Sequence, residues 1–345
     1  DFEGAGLSVL MDILAYNTHY NALYTNLAVN ESFIDSASKR SSVVSRAKEI
    51  GYVPHSATGA TATVNIVVSG TTSSPATLTL PAYSSFSTTI DGKSYTFYTT
   101  EAIVTSLASA KYTFTGVNIK EGNPLTFKYT VADGVQYIIP NTDVDLSTLK
   151  VRVQDNATSS VFNTFINQEE IINLDSTSQV YFVKEIEGQL YELEFGNDTI
   201  GKALANGNVV NLSYLVTNED MANGARVFTY TGSTLLGGAV AITTVSPAAG
   251  GSIAESIESI RYNAPRAYAS QNRAVTVEDY KSLIYRLYPD AQTVNAWGGE
   301  DNVPPVYGKV FLSIRPATTS TLTITQKNFI INVRKTSIIF QSFVI

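Results

Sequence analysis

The sequence predicts an α+β multidomain chain, with helices at the N-terminus, antiparallel β domains in the centre and a small α+β domain at the C-terminus. Three observations predict it. Residues 6–50 place apolar side chains at helical spacing, residues 57–150 are rich in Thr, Ser, Val and Tyr with almost no helical period and are followed by a second β region to about 245, and residues 252–345 mix both textures. A chain of 345 residues also exceeds what one hydrophobic core ordinarily serves. The expected divisions are 1–56, 57–150, 151–250 and 251–345. The chain is expected to continue beyond 345, because it begins at Asp1 and ends in the apolar run Ile338–Ile345.

The first helix takes its apolar groups from Leu7, Leu10, Met11, Leu14, Leu23 and Leu27. Tyr16, Tyr20 and Tyr24 fall at i, i+4 and i+8 and so form one aromatic ridge. Apolar or aromatic side chains lie on most sides of this helix, and such a helix is normally enclosed by others, from its own chain or a partner. Leu10, Leu14, Tyr16, Tyr20, Leu23, Tyr24 and Leu27 are therefore candidate interface residues. A second helix is predicted over Ile34–Ile50, with Gly51 as its C-cap and Pro54 shortly after.

From residue 57 the segments ATATVNIVVSG, ATLTLPAYSSFST, SYTFYTTE, KYTFTGVNI and LTFKYTVADG read as short alternating strands. Asp91-Gly92 between two of them is a hairpin signal. Residues 57–150 thus predict an antiparallel sheet, sandwich or barrel-like. LKVRVQD, QVYFVKEIEG, LYELEFGN and NVVNLSYLVTN continue the pattern over about 150–245.

In the last part, SIAESIESIRYNAP predicts a helix stopping at Pro265. Thr276 followed by Asp279 fits a capping box with a shortened acidic partner, and Glu278 adds negative charge at the same helix start. Tyr280, Leu283, Ile284 and Leu287 form the expected buried face, and Pro289 ends the helix. AQTVNAW and VYGKVFLSIRP are predicted strands joined by GGEDNVPP, with a final helix near 322–335 and a strand near 337–345. Arg261, Arg266 and Arg273 cluster around Pro265. They could clamp an anion, but guanidiniums bonding loop carbonyls and carboxylates such as Glu278 or Asp279 are the favoured reading. Pro265, Arg266, Arg273, Thr276 and Asp279 are accordingly candidate residues of a structural joint.

Composition narrows function. Hydrophobic content is 44% and charged content only 15%, so much of the surface must be covered by other means, of which burial against other subunits is one. A net charge of −7 argues against nucleic-acid binding through counterion release. With no cysteine, disulfides and thiolate metal sites are excluded. No run of 18 apolar residues predicts a membrane span, and no signal peptide is visible. The sequons at Asn30, Asn156, Asn197 and Asn211 carry no weight without one.

Chemistry finds little support. His19 sits among the tyrosines as a satisfied or partner-facing helix residue, and His55 has no second ligand at metal spacing. Glu185, Glu187, Glu192 and Glu194 invite a glycosidase reading, but Glu192 and Glu194 share one face of a strand whose other face carries Tyr191, Leu193 and Phe195. Gly4-Ala-Gly6 follows no strand and lacks a third glycine, so it is a poor dinucleotide signal. No catalytic residue, metal ligand or cofactor is predicted.

Longer patterns add a resemblance. NAPRAYASQNRAVTVEDYKSLIYRLYPDAQTVNAWGGED followed by PPVYGKVFLSIRP resembles the signature of baseplate-J-like proteins, wedge subunits of contractile phage tails and related injection machines. Residues 6–60 (GLSVLMDILAYN onward) and 191–225 (YELEFGNDTIGKALANG onward) are similar to the T-even-type wedge subunits. The resemblance covers both ends and the middle, and residues 61–150 carry less of it. It implies a structural protein of the virion tail baseplate, assembled in the host cytoplasm, without enzymatic activity. In the family two copies pair and bundle helices with a third wedge protein, and neighbouring wedges join in a ring around a central hub that rearranges on contraction. The N-terminal helices match the bundle segment; the C-terminal unit matches the segment of copy-to-copy or wedge-to-wedge contacts. Two alternatives stand beside it. A β-rich carbohydrate-active protein would need two carboxylates facing each other about 5–10 Å apart, and an adhesin would use the Ser/Thr/Tyr-rich sheet. The helical ends favour the scaffold.

Overall fold

The computed structural model describes residues 6–168, 174–270, 274, 276–288, 291–316, 322, 327, 330 and 342–344. The chain divides into two compact units: Asp1–Pro54 with Ser256–Ala269, and His55–Glu255 with Ser270–Ile345.

The first unit holds three helices, α1 (Gly6–Asn30), α2 (Arg40–Glu49) and α3 (Ile257–Ser270). Polar side chains of α1 are satisfied along its own backbone: Thr18 donates to the Leu14 carbonyl at 2.8 Å and Thr25 to that of Asn21 at 2.7 Å. The second helix begins at Arg40 rather than Ile34, because residues 31–38 wind around a carboxylate. Glu31 accepts the Ser38 hydroxyl at 2.6 Å, the Ser38 N–H at 2.9 Å and the Lys39 N–H at 3.3 Å. It thereby satisfies donors at the start of α2, where Lys39 offers no capping side chain. Those bonds, the Ser38 hydroxyl foremost, hold the Glu31 carboxyl down at about 2. At its other end α2 closes in a Schellman motif, with Gly51 N–H on Lys48 O and Tyr52 N–H on Ala47 O, both at 2.9 Å.

The break expected at Pro265 is absent; α3 runs through it to Ser270. A mid-helix proline costs about 3 kcal/mol. The reason it is tolerated lies in an apolar row that passes it: Ile257, Ile260, Ala264 and Ala267 pack with Ala37, Val43, Val44, Ala47 and Tyr52 of the same unit. Tertiary burial outweighs local propensity here.

The second unit contains two large sheets and a small one. The first is eight-stranded, from β1 (Thr61–Ser69), β2 (Thr77–Leu80), β3 (Ser85–Ile90), β4 (Lys93–Thr99), β5 (Ile103–Ala108), β6 (Lys111–Glu121), β14 (Thr229–Tyr230) and β15 (Ala239–Ala249). Its main path runs β14-β3-β4-β6-β1-β15, with β5 joining β2 to β6. It curls until β14 comes near β15. Inside lie Val64, Ile66, Leu80, Phe86, Phe97, Tyr112, Phe114 and Ile119. The hairpin read at Asp91-Gly92 is present: Ile90 pairs with Lys93, and the two turn residues have φ of 48° and 79°, as a type I′ turn requires.

The second sheet is seven-stranded, from β7 (Asn123–Thr130), β8 (Tyr137–Ile139), β9 (Val144–Gln154), β10 (Asn163–Asn167), β11 (Val180–Glu185), β12 (Tyr191–Phe195) and β13 (Val209–Val216). Its order is β7-β13-β9-β10-β11-β12-β8, antiparallel except for β10 with β11. Its edges also meet, the Tyr129 ring standing edge-on to Tyr137 with its hydroxyl on the Ile138 carbonyl. The division expected at 150 thus falls inside β9. The first sheet takes its strands from 61–121 and 229–249, and the second occupies the stretch between them.

The C-terminal part has α4 (Val277–Leu287), β16 (Ala291–Gly298), β17 (Lys309–Pro316) and β18 (Ser342–Val344), with β18 parallel to β17. Tyr280 and Ile284 of α4 pack with Val294, Ala296, Leu312 and Ile314. Leu283 is only half-buried. Pro289, the side chain of Leu287, and most of the final helix and strand read at 322–335 and 337–345 lie outside the described residues.

Candidate functional site

Two places combine unusual residues with unusual surroundings, and they are opposites. The first is α1, a helix of 25 residues of which none is buried. All seven candidate interface residues, Leu10, Leu14, Tyr16, Tyr20, Leu23, Tyr24 and Leu27, are exposed, Leu14 at 56% and Tyr16 at 66%. Leu7, Val9, Met11, Ile13 and Val29 are exposed as well. The tyrosine ridge is real: Tyr16 stacks on Tyr20 at 6.5 Å and Tyr20 on Tyr24 at 6.3 Å, with His19 edge-on to Tyr20 at 6.1 Å. Apolar surface left in water forgoes about 25 cal/mol per Å², and continuous exposed patches of this kind mark interaction sites. No described helix is long and apolar enough to cross a membrane.

The second place is a buried polar seam where the chain passes between the two large sheets. Asp145, at the start of β9, and Glu121, at the end of β6, are both fully buried. One Asp145 oxygen takes the Lys120 ammonium at 2.7 Å and the Gly59 N–H at 2.9 Å. The other takes the Ser147 N–H at 3.0 Å and hydroxyl at 2.6 Å. Glu121 accepts the Thr217 hydroxyl at 2.9 Å, the Asn218 N–H at 3.1 Å and the Asn218 side-chain amide at 2.6 Å. Gly59 ties the two together. A Cβ there would lie 2.3 Å from the Glu121 carbonyl oxygen and 3.2 Å from the Thr217 hydroxyl, so only glycine fits. Nearby, the Glu219 carboxyl is pushed up, first by burial and then by Asp143 and Asp220. Sequence reading missed this seam. A signal existed, because Glu121 continues the inward-facing alternation of Val117 and Ile119.

The proposed joint residues lie as follows. Pro265 is inside α3. Arg266 places its guanidinium 3.5 Å from the Tyr262 ring centroid and donates to the Tyr262 carbonyl at 2.7 Å, while Arg261 pairs with Glu258 at 2.8 Å and donates to the Ala37 carbonyl. Arg273 lies outside the described residues. The Thr276 and Asp279 capping box is formed in both directions, at 2.8 and 3.3 Å. Glu278 pairs with Lys281 at 2.8 Å.

The carboxylate row of the second sheet is an ion cluster. Lys184 of β11 reaches Glu192 at 3.5 Å and Glu194 at 3.2 Å across the strand pair, and these carboxylates, the Glu194 bond first, push the lysine up. No group of three or more metal-ligating side chains occurs among the described residues.

Comparison with known proteins defines a class. Residues 1–52 match the profile of the baseplate wedge protein gp6-like helical domain, and residues 276–337 that of the baseplate structural protein gp6, C-terminal domain I. The chain is thus similar at both ends to structural wedge components of contractile-tail phage baseplates. A particular relative is the baseplate wedge protein gp6 of Enterobacteria phage T4, 28% identical over 365 residues, covering 97% of this chain and 53% of that protein. The chain therefore spans about half the length of this curated relative. A solved structure, the anti-feeding prophage (AFP) baseplate, aligns with 91% of this chain and 64% of that one at 14% identity and a TM-score of 0.28, a likeness too slight to carry an argument.

Proposed function

We propose that this chain is a structural, non-enzymatic component of a phage tail baseplate wedge. In this reading α1 enters a helical bundle with a second copy of the chain and with other wedge proteins. The C-terminal region contacts neighbouring wedges in a ring around the central hub, and that ring rearranges when the tail contracts. The baseplate-J-like resemblance of residues 263–316 belongs to the same reading, as does the Thr276 and Asp279 capping box that fixes the start of α4.

The observation that carries it is α1 itself. A helix of 25 residues without one buried side chain, carrying Leu and Tyr around its circumference, is complete only when other helices enclose it. The alternative of a carbohydrate-active protein loses its main support, because Glu192 and Glu194 are engaged by Lys184. The test is co-expression of the chain, with and without residues 1–50, alongside helical baseplate proteins. The full chain is expected to co-purify with them, and the truncated chain to remain folded but alone. Retention of the partner by the truncated chain overturns the proposal, as does a stable monomer at high concentration with α1 bare.

A further inference from the structure

We propose that the polar seam is a mechanical lock, in which Asp145 and Glu121 make the two large sheets one rigid lever. The inference does not depend on what the chain assembles with.

Four passages of chain meet at the seam, around residues 56–60, 120–122, 143–147 and 216–219, and both carboxylates bond across them. Asp145 spends one oxygen locally on Ser147 but the other on Gly59, 86 residues away, and on Lys120. All three donors to Glu121 lie 96 or 97 residues from it. A third tie runs parallel to these, from the Leu146 N–H to the Ser56 hydroxyl at 3.1 Å. Backbone bonds hold each side of the seam together, Glu121 N–H on Ala60 O at 2.8 Å in the first sheet and Thr217 N–H on Asp143 O at 2.9 Å in the second.

A cap that served only its own turn would not need donors from so far away. Nor would a chain with 15% charged residues gain by placing two carboxylates at zero exposure unless every oxygen were matched. Matching also makes the seam stiff. Any opening takes a donor from a fully buried carboxylate, so resistance rises from the first displacement. Close packing at Gly59 against the Glu121 carbonyl of the first sheet and the Thr217 hydroxyl beyond the second leaves little slack there. Where an assembly containing this chain changes state, the β region transmits the movement and does not absorb it.

Hydrogen exchange of the full chain tests this. In the wild type, peptides covering 56–60 and 216–219 are expected to exchange within tenfold of those from β6 and β13. In the double variant Asp145→Asn with Glu121→Gln, the same peptides are expected to exchange at least tenfold faster, with β3 and β4 unchanged. Breaking the surface ion cluster with Lys184→Met should leave them as in the wild type. Wild-type seam peptides that exchange as fast as the exposed 156–160 loop overturn the lock, as does a double variant with undiminished seam protection. If the double variant does not fold, the wild-type rates decide alone.

Discussion

Helix α1 and the seam invert the usual distribution of residues. The helix keeps large apolar side chains in water, and the seam keeps two carboxylates out of it. Each arrangement costs free energy unless something compensates, and they differ in where compensation comes from. Every oxygen of Asp145 and Glu121 finds its donors within the same unit. The tyrosines of α1 stack on one another and its leucines stand exposed. Unmet demand, rather than polarity, is thus what separates the helix from the seam.

The contrast can be broken most forcefully at Asp145. Asp145→Ala removes the acceptor of the buried Gly59 N–H and the carboxylate paired with Lys120, and should destabilise the isolated chain by about 3–5 kcal/mol, read from urea denaturation. The matching change in the helix, Leu14→Ala, should shift the isolated chain by under about 0.5 kcal/mol. The same substitution should weaken co-assembly by about 1.5–3 kcal/mol, measured by titrating the partner, since that burial exists only in the complex. If Leu14→Ala instead lowers the stability of the isolated chain by the larger amount, α1 is packed at home and the contrast fails. Gly59→Ala sharpens the seam side, because forcing a methyl against a backbone carbonyl should cost about 1–3 kcal/mol. At the cap of α4, Thr276→Ala should cost about 1 kcal/mol and act on α4 rather than on the seam. The smallest effect is expected at Glu31, whose folded carboxyl is held at about 2 against an ordinary 4.5. Its contribution is fully present above about pH 4.5 and is lost as pH falls toward 2. Melting curves of the wild type and Glu31→Gln should therefore differ at pH 6 and converge at the acid end.

Much of the architecture was legible because its signals were local. The i, i+4, i+8 tyrosines, the Thr276 and Asp279 pair and the Asp91-Gly92 turn each act within a few residues, and each stands in the structure as read. What misled was local chemistry overruled from a distance. Pro265 argued for an end to α3, yet Ile260 and Ala264 are held by residues more than two hundred positions earlier. The start of α2 was misplaced because Glu31, seven residues before Ser38, does the capping. Half of the seam was legible, since Glu121 falls in the inward phase of β6, but nothing in the neighbourhood of Asp145 announces Gly59. The exposed helix was readable because its message, apolar residues on every side, is written in one continuous segment.

The path of the chain is nested. The helical unit opens with residues 1–54 and closes with 256–269, the first sheet opens with 61–121 and closes with 229–249, and the second sheet lies wholly between, at 123–216. During synthesis, then, the innermost sheet is the earliest of the three that can be completed. Strand β1 must wait for β15, and α2 must wait longest, for α3. The three are completed from the inside outward, and both large sheets can be finished only after residue 249 has emerged.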